Sequence, residues 1–387
     1  MQCRDRADLR VGSSPGSAGW GWRLRIECLD SLSPDLAARW QGFLAAVAHA
    51  HPEQDPVYAP VLGAQGFRPL FVLGWQGDDL AAVGLFGLKP NPALPGCFTF
   101  AMAHSGPVCA EVTTMLAFLD GLSLHPALAR VGAIRITPYW LDDEAAVLTQ
   151  RLAGSGWQRF ETQNYRATGL TDLTPPADQI MARFARSVRT NIRKAENLGL
   201  QAVRVESLSG ALTFLARLND HRAARGLRRI GEAAFLASFR QAYQAGERGF
   251  LLAVMQADRL VSGATFHLGW ETIHFMNSFH DEALARELGN LRIAPFQVYQ
   301  AMLLAKARGC RWLDWEGYRP GVPESDPHYR INRYKEDFAP LAVQRLPGHG
   351  KVLAGALRGA IHASGTAKER VRPWLKTLLR RGRNFGD

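Results

Sequence analysis

The residues with most chemical content lie in four short stretches of the second half of the chain. Trp312-Leu313-Asp314-Trp315-Glu316-Gly317-Tyr318 sets two carboxylates two residues apart in an otherwise apolar run. On a strand, alternation puts Trp312, Asp314 and Glu316 on one face, with Leu313 and Trp315 on the other. Two carboxylates on one such face are a candidate acid/base pair, since burial and like charge raise the pKa of one of them. The plainer alternative is that Asp314 caps a turn and Glu316 pairs with an arginine. Arg286-Glu287-Leu288-Gly289-Asn290-Leu291 is expected just after a strand and at the opening of a helix. Such a turn offers backbone N–H groups to an anion, and Arg286 adds a charge-assisted contact. Arg330-Ile331-Asn332-Arg333-Tyr334-Lys335-Glu336-Asp337-Phe338 packs cations around Tyr334 and Phe338, which suits a nucleotide or another stacked, charged ligand. Finally, a helix beginning near Asp178 aligns Ile180, Phe184, Val188 and Ile192 in one stripe. If that helix is continuous, Arg183, Arg186, Arg189, Arg193 and Lys194 fall on its opposite face. No acidic residue between Asp178 and Glu196 offsets them, and a phosphate-bearing ligand would relieve their repulsion.

The elements that must position these residues follow a duplicated plan. Residues 71–84 and 250–263 match at Phe71/Phe250, Leu73/Leu252, Asp79/Asp258 and Gly84/Gly263, and each reads as strand, turn, strand. A helix and an apolar strand follow in each half, the strands at Ala133–Trp140 and Arg311–Gly317. This predicts two α/β domains with a ligand cleft between the copies. The boundaries are a disordered 1–20, domains at 21–170 and 171–346, and a basic tail at 347–387. Helices are expected at 35–50, 112–124, 142–152, 208–224, 232–245 and 291–308, a loop at 283–289, and a short helix or turn at 331–338.

With 387 residues and 47% hydrophobic content, the chain suits a globular protein with two cores. No run reaches the length of a membrane span, and charged residues within 4–10 argue against a signal peptide. The five cysteines are scattered and make neither a disulfide framework nor a zinc pattern, so reduced thiols in a cytoplasmic protein are expected. No metal motif is read, and His49 and His51 read as loop residues. Residues 351–387 carry nine Lys or Arg against Glu369 and Asp387, most of the formal charge of +11. That tail is either a solubilising end or a contact for an anionic surface, such as RNA or the inner face of a membrane.

Arg189-Thr190-Asn191-Ile192-Arg193-Lys194, the strand ending Asp314-Trp315-Glu316-Gly317, and Tyr334-Lys335-Glu336-Asp337-Phe338 occur in this order on a duplicated plan. In this the chain resembles the FemABX group of peptidoglycan-bridge aminoacyltransferases over roughly 35–346. The resemblance implies an α/β, mixed-sheet fold of two tandem GNAT-like domains and no bound cofactor. It also implies transfer of an amino acid from aminoacyl-tRNA to the stem-peptide amine of a lipid-linked or nucleotide-linked peptidoglycan precursor. The family's motif residues match Arg189 and Lys194, Asp314 and Gly317, and Tyr334, Lys335 and Phe338. On this reading Asp314 accepts a proton or positions the amine, Lys335 serves the oxyanion or a donor phosphate, and Arg189 and Lys194 hold phosphates. Arg286, Gly289, Glu316, Gly317 and Tyr334 complete the binding set. Leu291 departs from the Gly or Ala usual in GNAT phosphate loops. Two other readings therefore stay open: an acyl-CoA-dependent N-acyltransferase acting on a sugar amine or small metabolite, and a catalytically silent RNA- or precursor-binding protein.

Overall fold

Apolar residues alternating along extended segments build two mixed sheets, seen in a computed structural model that describes residues 24–90, 99–160, 167–244 and 247–353. In the first half run β1 (Arg25–Leu29), α1 (Pro34–Ala46), α2 (Ala59–Ala64), β2 (Arg68–Gln76), β3 (Asp79–Pro90), β4 (Thr99–Ala103), β5 (Val108–Cys109), α3 (Val112–Leu124), β6 (Val131–Ile136), α4 (Asp142–Gly154) and β7 (Gln158–Arg159). The second half runs β8 (Ala167–Asp172), α5 (Ala177–Arg183), α6 (Arg186–Asn197), β9 (Gln201–Arg204), α7 (Leu208–Ala224), α8 (Glu232–Ser238), β10 (Gly249–Gln256), β11 (Arg259–Leu268), β12 (Thr272–His280), α9 (Glu282–Glu287), α10 (Ala294–Ala307), β13 (Trp312–Asp314), α11 (Tyr329–Glu336) and β14 (Leu341–Gln344). The described chain then closes with β15 (His349–Val352). None of its helices is long and apolar enough to cross a membrane.

The halves repeat one plan: antiparallel strands followed by one parallel pair, β4 with β6 and β12 with β13. The duplication is real, but its register differs by one residue from the sequence match. Both hairpins slip at the same point, between Gly74 and Trp75 and between Val254 and Met255. Gln76 pairs with Asp79 and Gln256 with Arg259 across turns whose tips, Gly77 and Ala257, share a positive φ. Gln76 is thus equivalent to Gln256, Leu80 to Leu260 and Phe86 to Phe266. The match of Phe71 with Phe250 was one step out, which on a strand exchanges the faces.

β8, which opens the second half, lies between β13 and β14 in the second sheet, whereas β15, from the end of the described chain, crosses back to lie between β6 and β7 in the first. The expected cut at 170/171 falls inside β8, and the segment expected to be tail begins with a sheet strand. A shared core reinforces this crossing, packing Trp40, Leu44 and Phe71 with Phe214, Phe239, Leu251 and Phe279. The site between the halves therefore draws on residues from both.

Three local expectations are corrected. The helix from Asp178 is not continuous: Phe184 is extended (ψ 154°), and the Ala185 N–H leaves the helical pattern to donate to Asp337 O at 2.7 Å. Its apolar stripe is buried all the same. The segment at 283–289 contains α9, which Asp281 caps by accepting the Leu284 N–H at 3.0 Å. The helix expected at 232–245 is α8 followed by a π-helical turn over Phe239–Tyr243. The expectations for 1–20, and for most of the basic tail (354–387), lie outside the described residues.

Candidate active site

The segment between α1 and α2 is held too firmly for an ordinary loop. Pro52 and Pro56 each open a short 3-10 turn, capped by His51 and Asp55. Gln54 is buried and reaches two neighbours, accepting the Leu85 N–H at 2.8 Å and donating to His104 O at 2.5 Å. A Cβ on Gly106 would meet the Gln54 side chain at 2.2 Å, so only glycine fits there. Asp55 is fully buried and pairs with Arg248 Nε of the second half at 2.6 Å. These contacts carry His51, which the sequence reading treated as a loop residue, into the seam between the halves, where it is 1% exposed.

A carboxylate stands at each nitrogen of His51. Nδ1 is 3.7 Å from Glu53 Oε2, and Nε2 is 3.6 Å from Glu316 Oε1. Nδ1 also accepts the Glu53 backbone N–H at 3.2 Å, which puts the ring proton on Nε2. Burial and the neighbouring His274 lower the His51 pKa against the pull of Glu316 and Glu53, so the ring rests neutral. Burial would raise the Glu53 carboxyl, but His51, His267 and His104, with the Ser105 hydroxyl at 2.9 Å, bring it to about 2. Burial likewise opposes ionisation of Glu316. Arg345 at 2.7 Å and the imidazoles of His274 (Nδ1 at 3.0 Å) and His51 overcome it and hold the carboxyl well below the usual range. His267 lies nearby, lowered to about 4 mainly by burial, with Nε2 against the Tyr243 hydroxyl at 2.7 Å.

The sequence expected Asp314 and Glu316 on one strand face. β13 ends at Asp314, and Glu316 and Gly317 both take left-handed backbone (φ 45° and 44°), so Glu316 leaves the strand. Asp314 is fully buried and accepts from Tyr139 Oη at 2.5 Å, from the Glu316 N–H at 2.6 Å and from Thr168 Oγ1. Burial, with Asp314 beside it, raises the Tyr139 pKa well above normal and keeps that donor protonated. Lys335 is also buried, and its three N–H donors go to the carbonyls of Trp315 (2.8 Å), Glu316 and Gly317 (3.0 Å). Burial lowers its pKa to about 8 against the pull of Asp314 and Glu316. The three Lys335 donors are all engaged, and both residues hold the turn that presents Glu316.

The remaining expected residues gather elsewhere, around α6, α10 and α11. Arg189 donates to Ala182 O (3.2 Å) and Phe184 O at the break after α5, and Lys194 donates to Gly289 O at 2.8 Å. Arg286 turns back onto Glu282 O at 3.1 Å. Gly289 has φ 68° and sits between α9 and α10, not directly after a strand as expected. Tyr334 packs on Trp315 and Phe338 with Arg292 over its ring. Sequence reasoning missed His51, Glu53, Ser105, Tyr139, His267, His274 and Arg345. The available signal was His267 and His274, two histidines set in apolar strands.

His51, His274 and Glu316 bring three ligand-type atoms within 4.8 Å of one another. The set fits a metal poorly. The His51 proton sits on the nitrogen that would ligate, and the Glu316 charge is already matched by Arg345.

No protein-family profile and no curated protein matches the sequence. Solved structures match the fold. FemX covers 87% of this chain and 99% of its own at 14% identity, with a TM-score of 0.73. This is a FemABX-type tandem GNAT fold. The chain is also similar to a conserved protein of unknown function from Bacteroides thetaiotaomicron VPI-5482 (10% identity, 85% of this chain and 100% of that one, TM-score 0.54). L-PGS from Bacillus licheniformis matches at 11% identity over 83% of this chain and 92% of that one, with a TM-score of 0.50. In this FemABX-type fold, the C-terminal end of β13 and the segment around His51 form the polar seam between the GNAT-like halves.

Proposed function

We propose that the protein is an N-acyltransferase that moves an amino acid from aminoacyl-tRNA to the stem-peptide amine of a peptidoglycan precursor. The observation that carries this reading is the neutral His51 imidazole set between two ionised carboxylates, one from each half of the fold. Amide formation needs a neutral amine, a proton acceptor and a stabilised oxyanion. The acceptor ammonium gives a proton to His51 Nδ1, which exchanges its bond from the Glu53 N–H for one to Glu53 Oε2. The resulting imidazolium has a carboxylate at each nitrogen. The amine lone pair forms a bond to the ester carbonyl carbon, and as the C–O bond breaks the ribose oxygen takes a second proton from the amine nitrogen, leaving one on the amide, while His51 keeps the first until product leaves. Arg345 is the fixed cation next to Glu316 and the group suited to the oxyanion.

Two features favour an RNA ester over coenzyme A as donor. Acidic residues stand at the strand-to-helix turn of each half, Glu111 before α3 and Asp281 with Glu282 at the start of α9, where their charge opposes a phosphate. Arg186, Arg193 and Lys194 are exposed along α6 and suit a nucleic-acid backbone. A cytoplasmic enzyme whose basic tail rests on an anionic membrane surface would meet a lipid-linked acceptor. The test offers purified protein a muropeptide precursor with charged tRNAs in one tube and acyl-CoAs in another, and reads product mass. A gain of one aminoacyl residue that ribonuclease abolishes is expected. Transfer from acyl-CoA alone would refute the donor assignment.

A further inference from the structure

The second sheet ends in an open edge far from the seam. β9 closes its strand order, and among the described residues no strand lies beyond it. The Val205 N–H donates to Leu251 O at 2.9 Å. By alternation Val203 and Val205 turn their backbone groups toward β10, and Ala202 and Arg204 turn theirs outward. Such edges are ordinarily covered or guarded. At the other end of this sheet Asp142 covers β14, its Oδ1 accepting the Gln344 N–H at 3.3 Å. β9 has no such cover, and its two faces differ. A Cβ on Gly210 would meet Val205 at 2.9 Å, so α7 lies over the Val203 and Val205 side. There Val203, Leu208 and Leu212 are 40%, 43% and 38% exposed, and α7 carries no charge from Leu208 to Ala216. On the other side Arg204 Nε is buried without a hydrogen-bond partner among the described residues. Burial and the adjacent Arg204 lower the Arg308 pKa, so two guanidiniums crowd this face, with Glu206 at 3.4 Å from Arg204. An apolar stripe on one side, a cationic pair on the other and free backbone groups between them match an extended polypeptide. A second copy paired through β9 would bring further arginines to the cationic side and be repelled.

We propose that β9 is a docking edge for an extended segment of a partner protein, added antiparallel, whose side chains alternate between apolar residues and carboxylates. In an antiparallel pair, residues directly opposite share a face. Those opposite Ala202 and Arg204 exchange N–H···O bonds with them and project to the arginine side, so they are the acidic ones. The apolar residues between them project toward Val203, Leu208 and Leu212, with their own N–H groups turned away from β9. The edge lies outside the seam, and its use does not depend on the transfer reading.

The test is fluorescence anisotropy of the full chain with a labelled peptide of sequence GSVEVEVGS. Its counterparts carry lysines in place of the glutamates, N-methyl groups on both glutamates, or one N-methyl group on the central valine. Saturable binding of the acidic peptide is expected, weaker by roughly tenfold or more for the lysine and N-methyl-glutamate forms. N-methylation of the central valine should be tolerated. Arg204→Gln and Val203→Asp should each weaken the acidic peptide by a similar factor, with Arg204→Lys restoring part of the loss. Circular dichroism confirms that each variant is folded. No binding of the acidic peptide, equal binding of its lysine or N-methyl-glutamate form, or full binding by folded Val203→Asp overturns the docking edge. So does a dimer in sedimentation velocity that Val203→Asp dissolves, since the edge would then belong to a second copy. Because neither donor nor acceptor is present, the result stands whatever the transfer assay gives.

Discussion

Nε2 of His51 and Oε1 of Glu316 lie 3.6 Å apart across the seam between the two halves of the fold. Each is held by its own scaffold. Gln54, Asp55 and Gly106 fix the His51 segment, while Asp314, Lys335 and Arg345 fix Glu316. The left-handed backbone at Glu316 costs on the order of 1 kcal/mol or more, and is sustained because Lys335 grips three carbonyls in succession.

The rate of transfer should follow His51. Its pKa lies below the ordinary 6.5, so activity is full above that pH and falls as pH drops through the lowered value. Arg345→Met removes the cation that offsets Glu316, which raises the His51 pKa and moves the acid limb to higher pH. Initial rates across the acid limb measure both effects, and an unmoved limb in the variant would contradict the coupling.

Lys335→Ala should destabilise the protein by about 3 kcal/mol, because three carbonyls of a buried turn lose their donor together. Denaturant unfolding reads the loss. A folded variant of undiminished stability would show that these hydrogen bonds do not hold the turn.

Acid should weaken the fold through His267. Its pKa falls from 6.5 to about 4 on folding, so the native state binds fewer protons than the unfolded chain in that interval. The corresponding stability is present above pH 6.5 and is lost as pH falls toward 4, at about 3 kcal/mol. Unfolding free energy against pH should flatten over this window in His267→Gln. An equally steep dependence in the variant would assign the effect elsewhere.

The duplicated plan was legible in the sequence because strand periodicity and turn residues are local. Its register was not, because the bulges after Gly74 and Val254 shift the pairing without altering composition. Asp314 and Glu316 stood out as charges in an apolar run and Lys335 as a cation among aromatics, and the structure brings them together. Their division of labour depends on Thr168, Tyr139 and Arg345, which reach Asp314 or Glu316 from distant parts of the chain. His51 carried no local signal at all. Its burial arises only when the second half closes over the 51–55 segment, which sequence spacing cannot register.

β15 gives the crossing between the halves a direct test. Ending the chain at Leu346 removes the strand that joins β6 to β7 and should lower the melting temperature by several degrees, whereas ending it at Leu353 spares the sheet. Identical melts for the two truncations would argue that β15 adds nothing to the first sheet. The Leu353 truncation is also the proper one for asking whether the basic tail binds anionic vesicles.

The most direct test of the central claim compares wild type with His51→Gln in one assay, using charged tRNAs, a peptidoglycan precursor and mass detection of the product. Wild type should add one aminoacyl residue to the acceptor amine in a ribonuclease-sensitive reaction. The folded variant should be slower by roughly 10²-fold or more. Equal product from both proteins would contradict a proton-accepting role for His51 between its two carboxylates.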